Sequence, residues 1–313
     1  MAHVTQTREP RAKRPATPLR SGREAGTPYP TVASFLSPSL IGLAVFTLLP
    51  IAMALVMAFF DWPAFGSRSF IGLDNFRSLA GDPVFRAAVR NTLVFVVLYV
   101  PLNIVVSMVL AAWMSPRIRG RQFLRVLFFL PVITPMVANA VVWRLLYQPG
   151  GSIDGTWEWL TGSHAPNFLG DASWAMVAVV VMSVWQGFGY NMIVFSAAIE
   201  AVPESVTEAA RIDGAGPVRT FFSVVLPMIS PAIFFATTMT VITSMQVFVQ
   251  PFLLTGGGPG TATETLVMYI YQAGFSSFSL GLASAASWVL LVIVLGLTAV
   301  QFRAQRRWVS YDV

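Results

Sequence analysis

Cysteine is absent from the 313 residues, and histidine occurs only as His3 and His164. No disulfide framework, thiolate nucleophile or Cys-ligated metal site is therefore available. Two histidines, one in a tail and one in a loop, leave metal ligation and imidazole catalysis almost no material. Charge is scarce too: 11% of residues are charged against 55% hydrophobic, where a soluble domain carries about 25% charged. That balance argues against a water-soluble fold. The G-x-x-x-x-G-K-[ST] phosphate loop and the H-E-x-x-H motif are both missing, so ATP hydrolysis and zinc proteolysis are not expected of this chain.

What charge there is sits in clusters between long apolar runs. The formal charge of +6 could suggest nucleic acid, but the basic residues flank apolar segments, where lipid headgroups and topology account for them. A helix needs about 20 apolar residues to cross the hydrocarbon core, and lipid admits only helices or closed barrels. Six segments qualify, near 36–59, 92–113, 126–147, 174–199, 231–252 and 280–302. The third is the tightest, with 18 uncharged residues over 126–143. The expected fold is an all-α membrane protein with six transmembrane helices.

Orientation follows from the loops. Residues 1–33 carry Arg8, Arg11, Lys13, Arg14, Arg20 and Arg23 among Pro, Gly and Thr, and read as a disordered basic tail. They lack the apolar core and cleavage site of a signal peptide. Arg117, Arg119, Arg121 and Arg125 fill the second loop, and Arg303, Arg306 and Arg307 the C-terminal tail, 303–313. The third loop holds Asp154, Glu158 and Asp171 without Lys or Arg, and the fifth holds Glu264 alone. The positive-inside rule puts both termini in the cytoplasm of a bacterial inner-membrane protein. In the first loop Arg68, Arg77 and Arg86 balance Asp61, Asp74 and Asp82. Trp62, Trp143, Tyr147, Trp157, Trp159 and Trp174 read as the outer aromatic belt, and the small residues at 281 and 283–287 as a close helix-packing surface.

The fourth loop, 200–227, falls on the cytoplasmic side but is not simply basic. Pro203 and Glu204 suit the first turn of a short helix, Arg211 its last turn, and Gly214 the left-handed residue that ends it. Pro217 then opens a second segment. Within this loop Glu208-Ala209-Ala210 is followed after three residues, the last of them Asp213, by Gly214; after nine more residues comes Val224, and then Leu226-Pro227. This spacing resembles the signature of permease subunits of ABC importers, with valine in place of the usual isoleucine. Leu254-Thr255-Gly256-Gly257-Gly258-Pro259, followed by Thr265, Tyr269, Tyr271, Ala273 and Phe275, resembles the carbohydrate branch, in particular the first permease of maltose- and glycerol-phosphate-type systems. The resemblance covers approximately 34–307; the long periplasmic insertion and extra N-terminal helices of the maltose permease are missing.

The resemblance implies that the loop between the fourth and fifth spans is a coupling helix docked on an ATP-binding subunit, with Glu208, Ala209, Ala210, Asp213, Gly214, Leu226 and Pro227 at the contact. It further implies a second, different permease, two ATP-binding subunits holding ATP and Mg, and an extracytoplasmic sugar-binding protein. No cofactor is expected in this chain itself, and no nucleic acid.

No span carries a charge near its middle, where one would cost roughly 2.5 to 3.5 kcal/mol and mark an ion path. Neutral polar residues stand there instead. Ser183, Gln186, Gly187 and Tyr190 share one face of the fourth span, and Thr237, Thr240, Ser244 and Phe248 one face of the fifth. Singly, such residues tie helices together; as two matched stripes they suit a neutral sugar, whose hydroxyls must recover the hydrogen bonds lost from water. The resemblance to the maltose permease lands on Ser183, Gln186, Gly187, Tyr190, Thr240 and Ser244 as the substrate pathway. Asn103, Asn139, Asn191, Gln246 and Gln250 read as structural. Two rivals stand beside this expectation: a stand-alone secondary transporter or channel, which would need a buried ionisable group in a span, and a membrane-embedded enzyme, which would need a buried carboxylate pair or a cysteine.

Overall fold

The computed structural model describes residues 29–114 and 120–306. The basic residues up to Arg23, Arg117 and Arg119 of the second loop, and Arg307 with the rest of the C-terminal tail lie outside the described residues. Residues up to Ile51 and from Ala52 onward form two units. The first holds α1 (Tyr29–Leu43), with a π turn at Ala44–Leu48 leading into α2 (Leu49–Met57). Together they make a candidate span, Val32–Met57, none of it buried. Phe35 and Phe46 are more than four-fifths exposed. A helix that is apolar all round is suited to lipid or to another subunit.

The second unit begins within α2, at Ala52, and continues with a short antiparallel hairpin, β1 (Phe60–Asp61) and β2 (Ser69–Phe70), pairing Phe60 with Phe70 and Asp61 with Ser69. There follow α3 (Asp74–Gly81), α4 (Pro83–Trp113), α5 (Arg121–Ile133), α6 (Met136–Tyr147), α7 (Ser152–Thr161), α8 (Ala172–Ala201), α9 (Glu204–Ile212) and α10 (Pro217–Thr220). After a π turn at Phe221–Val225 come α11 (Leu226–Met228), α12 (Ser230–Ser244), α13 (Val249–Leu254), α14 (Leu266–Tyr271), a further π turn and α15 (Leu280–Gln305).

The long helices start where local chemistry permits. Asp82 accepts from the Val84 N–H at 2.8 Å with Pro83 in the first helical position, and Asp171 accepts from the Ser173 N–H at 2.8 Å to open α8. Each cap satisfies a donor that a helix N-terminus leaves free. α4 and α8 then pack along their length over Phe95, Val179, Met182, Met192 and Phe195, all nearly inaccessible. Ser107 Oγ ties them by donating to the Phe188 carbonyl at 2.8 Å. On another side of α8, a Cβ built on Gly189 would stand 2.5 Å from the Phe128 carbonyl oxygen, so only glycine lets α5 come this close. Gly281, Ala283, Ala285 and Ala286 of α15 are buried against α3 and α14, through Leu79, Leu266 and Tyr269 among others. Around Phe168, the rings of Tyr147, Trp157 and Trp174 pack edge-on or tilted, so three of the belt aromatics form a cluster, while Trp159 is 82% exposed.

Among the described residues, four helices are long and apolar enough to cross a membrane. Two helix pairs reach that standard only across a bend, of 94° after Ile133 and of 70° after Met228. The continuous third span expected over 126–147 is instead broken: Thr134 is extended (ψ 135°) and Pro135 follows. Proline disfavours the helical region for the residue before it, and it has no N–H to give. The fifth span, expected as one helix over 231–252, stops at Ser244 and resumes as α13 after Phe248. The 15 residues of α12 reach about 22 Å, short of the roughly 30 Å of a hydrocarbon core.

Candidate functional site

The loop singled out by its spacing folds as its local chemistry requires. Pro203 precedes α9, Glu204 lies in its first turn and Arg211 in its last. Gly214 takes φ +80°. Its N–H donates to the Arg211 carbonyl at 3.0 Å and the Ala215 N–H to the Ala210 carbonyl at 2.9 Å, the paired bonds of a Schellman termination. A Cβ on Gly214 would meet nothing within 4 Å; the backbone conformation, not space, demands glycine here. Pro217 occupies the first position of α10. Glu208, Ala209, Asp213 and Pro227 are exposed, with Ala210 and Leu226 half-buried. Apolar side chains stand out beside them: Ile212 is 86% exposed, Val218 71% and Phe222 61%. α9 thus begins after Pro203, ends at the Gly214 termination, and carries acids beside exposed apolar groups.

At the start of this loop Glu200 pairs with both Arg121 and Arg125, fastening the end of α8 to the start of α5. The sequence showed only an excess of acids in the fourth loop; the pairing spans 75 residues and has no local signature.

The two polar stripes lie on α8 and α12. Ser183 Oγ donates to the Val179 carbonyl at 2.7 Å, Thr240 Oγ1 to Ala236 at 2.7 Å and Ser244 Oγ to Val241 at 2.9 Å. All three are buried. Bonding back into the same helix settles each hydroxyl hydrogen and leaves the oxygen as an acceptor. Gln186 is buried; its Nε2 reaches the Thr134 carbonyl at 3.4 Å and its Oε1 has no partner. Tyr190 is half exposed. Gly187 lies beneath the Tyr99 hydroxyl, which a Cβ at that position would approach to 2.3 Å. Thr237 is half-buried, and Phe248 lies beyond the break that ends α12.

Two residues read as structural prove to be joined to the stripes. Asn191 Nδ2 donates to Asn103 Oδ1 at 2.7 Å and to Thr240 Oγ1 at 2.9 Å. Asn191 sits one turn beyond Gly187, so its face could be read from the sequence; its partners on α4 and α12 could not.

Residues 103–309, which hold both the α9 loop and α8, match the binding-protein-dependent transport system inner membrane component family. The chain belongs to that family. It is a permease subunit of an ABC importer and a multi-pass inner-membrane protein. The permease is 40% identical over 286 residues to the sn-glycerol-3-phosphate transport system permease protein UgpA of Yersinia enterocolitica, covering 83% of this chain and 93% of that one. It is 37% identical over 295 residues to UgpA of Pectobacterium atrosepticum, with 93% and 97% covered. To the probable ABC transporter permease protein YurN of Bacillus subtilis it is 34% identical over 274 residues, with 86% and 94% covered. Its fold is that of a chain in the crystal structure of a bacterial ABC transporter that imports the acidic polysaccharide alginate, with a TM-score of 0.76 at 23% identity, covering 88% of this permease and 95% of that chain.

Proposed function

We propose that this permease supplies half of a transmembrane pathway for a sugar, handed over by an external binding protein and moved by a separate pair of ATPases that hold ATP and Mg. The observation that carries the reading is the exposed α9 and its Gly214 termination within the family's matched residues. A second, different permease completes the pathway. Its core in this chain runs over 34–302, between a basic cytoplasmic tail at 1–33 and a short cytoplasmic tail at 303–313. The loop at 200–227 is the coupling element, with Glu208, Ala209, Ala210, Asp213, Gly214, Leu226 and Pro227 on the ATPase. Closure of the ATPases pushes on α9 as a rigid piece.

Ser183, Gln186, Gly187, Tyr190, Thr240 and Ser244 line the substrate side. Gln186 Oε1 and the lone pairs of the Ser183 and Ser244 hydroxyls accept from solute hydroxyls, and the exposed Tyr190 ring offers an apolar face. The alginate transporter was crystallised with a pentasaccharide-bound periplasmic protein, which supports the delivery step. A phosphorylated polyol is the second reading, favoured by the name of the 40% identical relatives. Against it, the stripe residues include no Arg or Lys, the groups that hold phosphate, so the cation would come from the partner permease.

The test uses the natural absence of cysteine. In intact spheroplasts, Ser163→Cys is expected to react with an impermeant maleimide and Ser205→Cys only after lysis; the reverse pattern would invert the topology. Purification of the tagged permease should bring ATP-binding subunits with it, and ion-driven uptake by the chain alone in liposomes would overturn the importer reading.

A further inference from the structure

One amide joins three of the long apolar helices. Asn191 of α8 is 4% exposed, and its Nδ2 places one hydrogen on Asn103 Oδ1 of α4 and the other on Thr240 Oγ1 of α12. Asn103 is fully buried and donates in turn to the Tyr99 hydroxyl at 3.3 Å. That hydroxyl lies directly over Gly187, where no side chain could fit, and the Tyr99 ring is held by stacking on Phe95 at 5.1 Å. The chain of contacts ends where Thr240 donates to Ala236. Thr240 and Gly187, two of the pathway residues, are therefore held from behind by a continuous set of polar contacts. Ser183, Gln186 and Tyr190 of α8 and Ser244 of α12 carry groups that this set does not engage.

We propose that Asn191 is a positioning residue that sets the distance between the stripe of α8 and the stripe of α12, and with it the fit of the solute in this half of the pathway. The inference rests on reading the two stripes as pathway lining. The physical reason is geometric. A planar amide offers its two hydrogens at a fixed angle, so two acceptors bound to it at 2.7 and 2.9 Å have little freedom to separate. An aliphatic side chain at 191 would fill the same volume and hold nothing. Lipid does not substitute for the lost bonds, because hydrocarbon has no donor to offer Asn103 Oδ1. The contacts on the other side of Gln186 are looser: its bond to Thr134 is 3.4 Å long, beside a cavity of about 380 Å³ lined by Pro131, Thr134, Trp185 and Phe188 among others.

The experiment uses the complete transporter, both permeases and the ATPases, in proteoliposomes with its binding protein. Spin labels at Ile193→Cys and Met239→Cys report the α8 to α12 distance by electron double resonance. Asn191→Leu should broaden that distribution, and so should Thr240→Val. For uptake of radiolabelled sn-glycerol-3-phosphate, Asn191→Leu should raise the half-saturating concentration about fivefold with the maximal rate per assembled complex held within about twofold, the mark of altered binding rather than lost assembly. In the distance measurement the double variant should be no broader than Asn191→Leu alone, since Asn191→Leu already removes the bond to Thr240. An unchanged distance distribution would overturn the proposal, as would a lower maximal rate at unchanged half-saturation. If the wild-type transporter takes up none of this probe, the phosphorylated-polyol reading fails while the distances still decide the role of Asn191.

Discussion

Asn139 Nδ2 donates to the Pro131 carbonyl at 3.2 Å, bridging the break between α5 and α6 from one side to the other. Pro135 has no N–H, so the carbonyl of Pro131 loses its partner one turn back along α5, and inside a bilayer it must find another. Gln186 Nε2 serves the Thr134 carbonyl in the same way. Replacing Asn139 with Leu is expected to destabilise the complex by about 1 kcal/mol, in the range of polar contacts between membrane helices. Thermal unfolding in detergent would show this as a modest fall in Tm, and no change would mean that the break needs no side-chain partner.

Gly214 is the residue on which the proposed coupling depends most locally. A Cβ at φ +80° costs about 1 to 2 kcal/mol, and Gly214→Val adds branching to that. The variant should reach the membrane in normal amount while solute uptake falls at least about tenfold. Gly214→Asn, which tolerates the left-handed region, should keep most of the activity. Equal activity in Val and Asn variants would show that the termination of α9 does not matter for transport.

For the pathway, Tyr190→Ala and Gln186→Leu should each reduce solute uptake several-fold without dispersing the complex. Ser107→Leu should lower the amount of assembled protein, because Ser107 is fully buried and its hydroxyl holds the Phe188 carbonyl. Val109→Leu, at an exposed position of the same helix, is the proper comparison. Uptake per assembled complex that is identical in Tyr190→Ala, Gln186→Leu and Val109→Leu would remove the α8 stripe from the pathway.

Glu264 gives a pH dependence. It is 5% exposed, Oε1 has no partner, and Oε2 accepts from Gln272 at 3.4 Å. Burial pushes this carboxyl above its ordinary range, against a smaller downward pull from the Gln272 amide. With the folded value raised, the neutral acid is the form the fold favours. Its stability is fully present below the unfolded carboxyl value and is lost as pH rises through the folded one. Glu264→Gln should therefore raise the Tm of the complex at pH 8, and the gain should shrink toward pH 4.5; a gain that grows on acidification would reverse the sign of the argument.

Much of the chain was legible from local rules. Proline at 203 and 217, acid in the first turn of α9, arginine in its last and glycine after it act within a few residues of one another, so α9 and its termination need no tertiary information. The long apolar runs that became α4, α8 and α15 were equally plain, because the cost of exposing backbone to lipid leaves a run of that length one conformation. The cue for the break in the third span was also local, at Thr134-Pro135, but apolar periodicity continues straight through it.

Other features had no local signal. Nothing in 245–248 is a proline or glycine; the fifth helix stops there where the Thr265 hydroxyl, 18 residues on, takes the Val247 carbonyl. Periodicity put Asn191 beside the stripe of α8 but could not say that Asn103 and Thr240 stand opposite it. The sequence by itself determined which segments are apolar enough to become long helices, how the α9 loop is built and which family its spacing resembles, since each depends on neighbours in the chain. Only the tertiary structure decided where two of those helices break and which buried amides face one another, because a hydrogen bond between residues 49 or 88 positions apart is a property of packing and leaves no trace in the residues on either side.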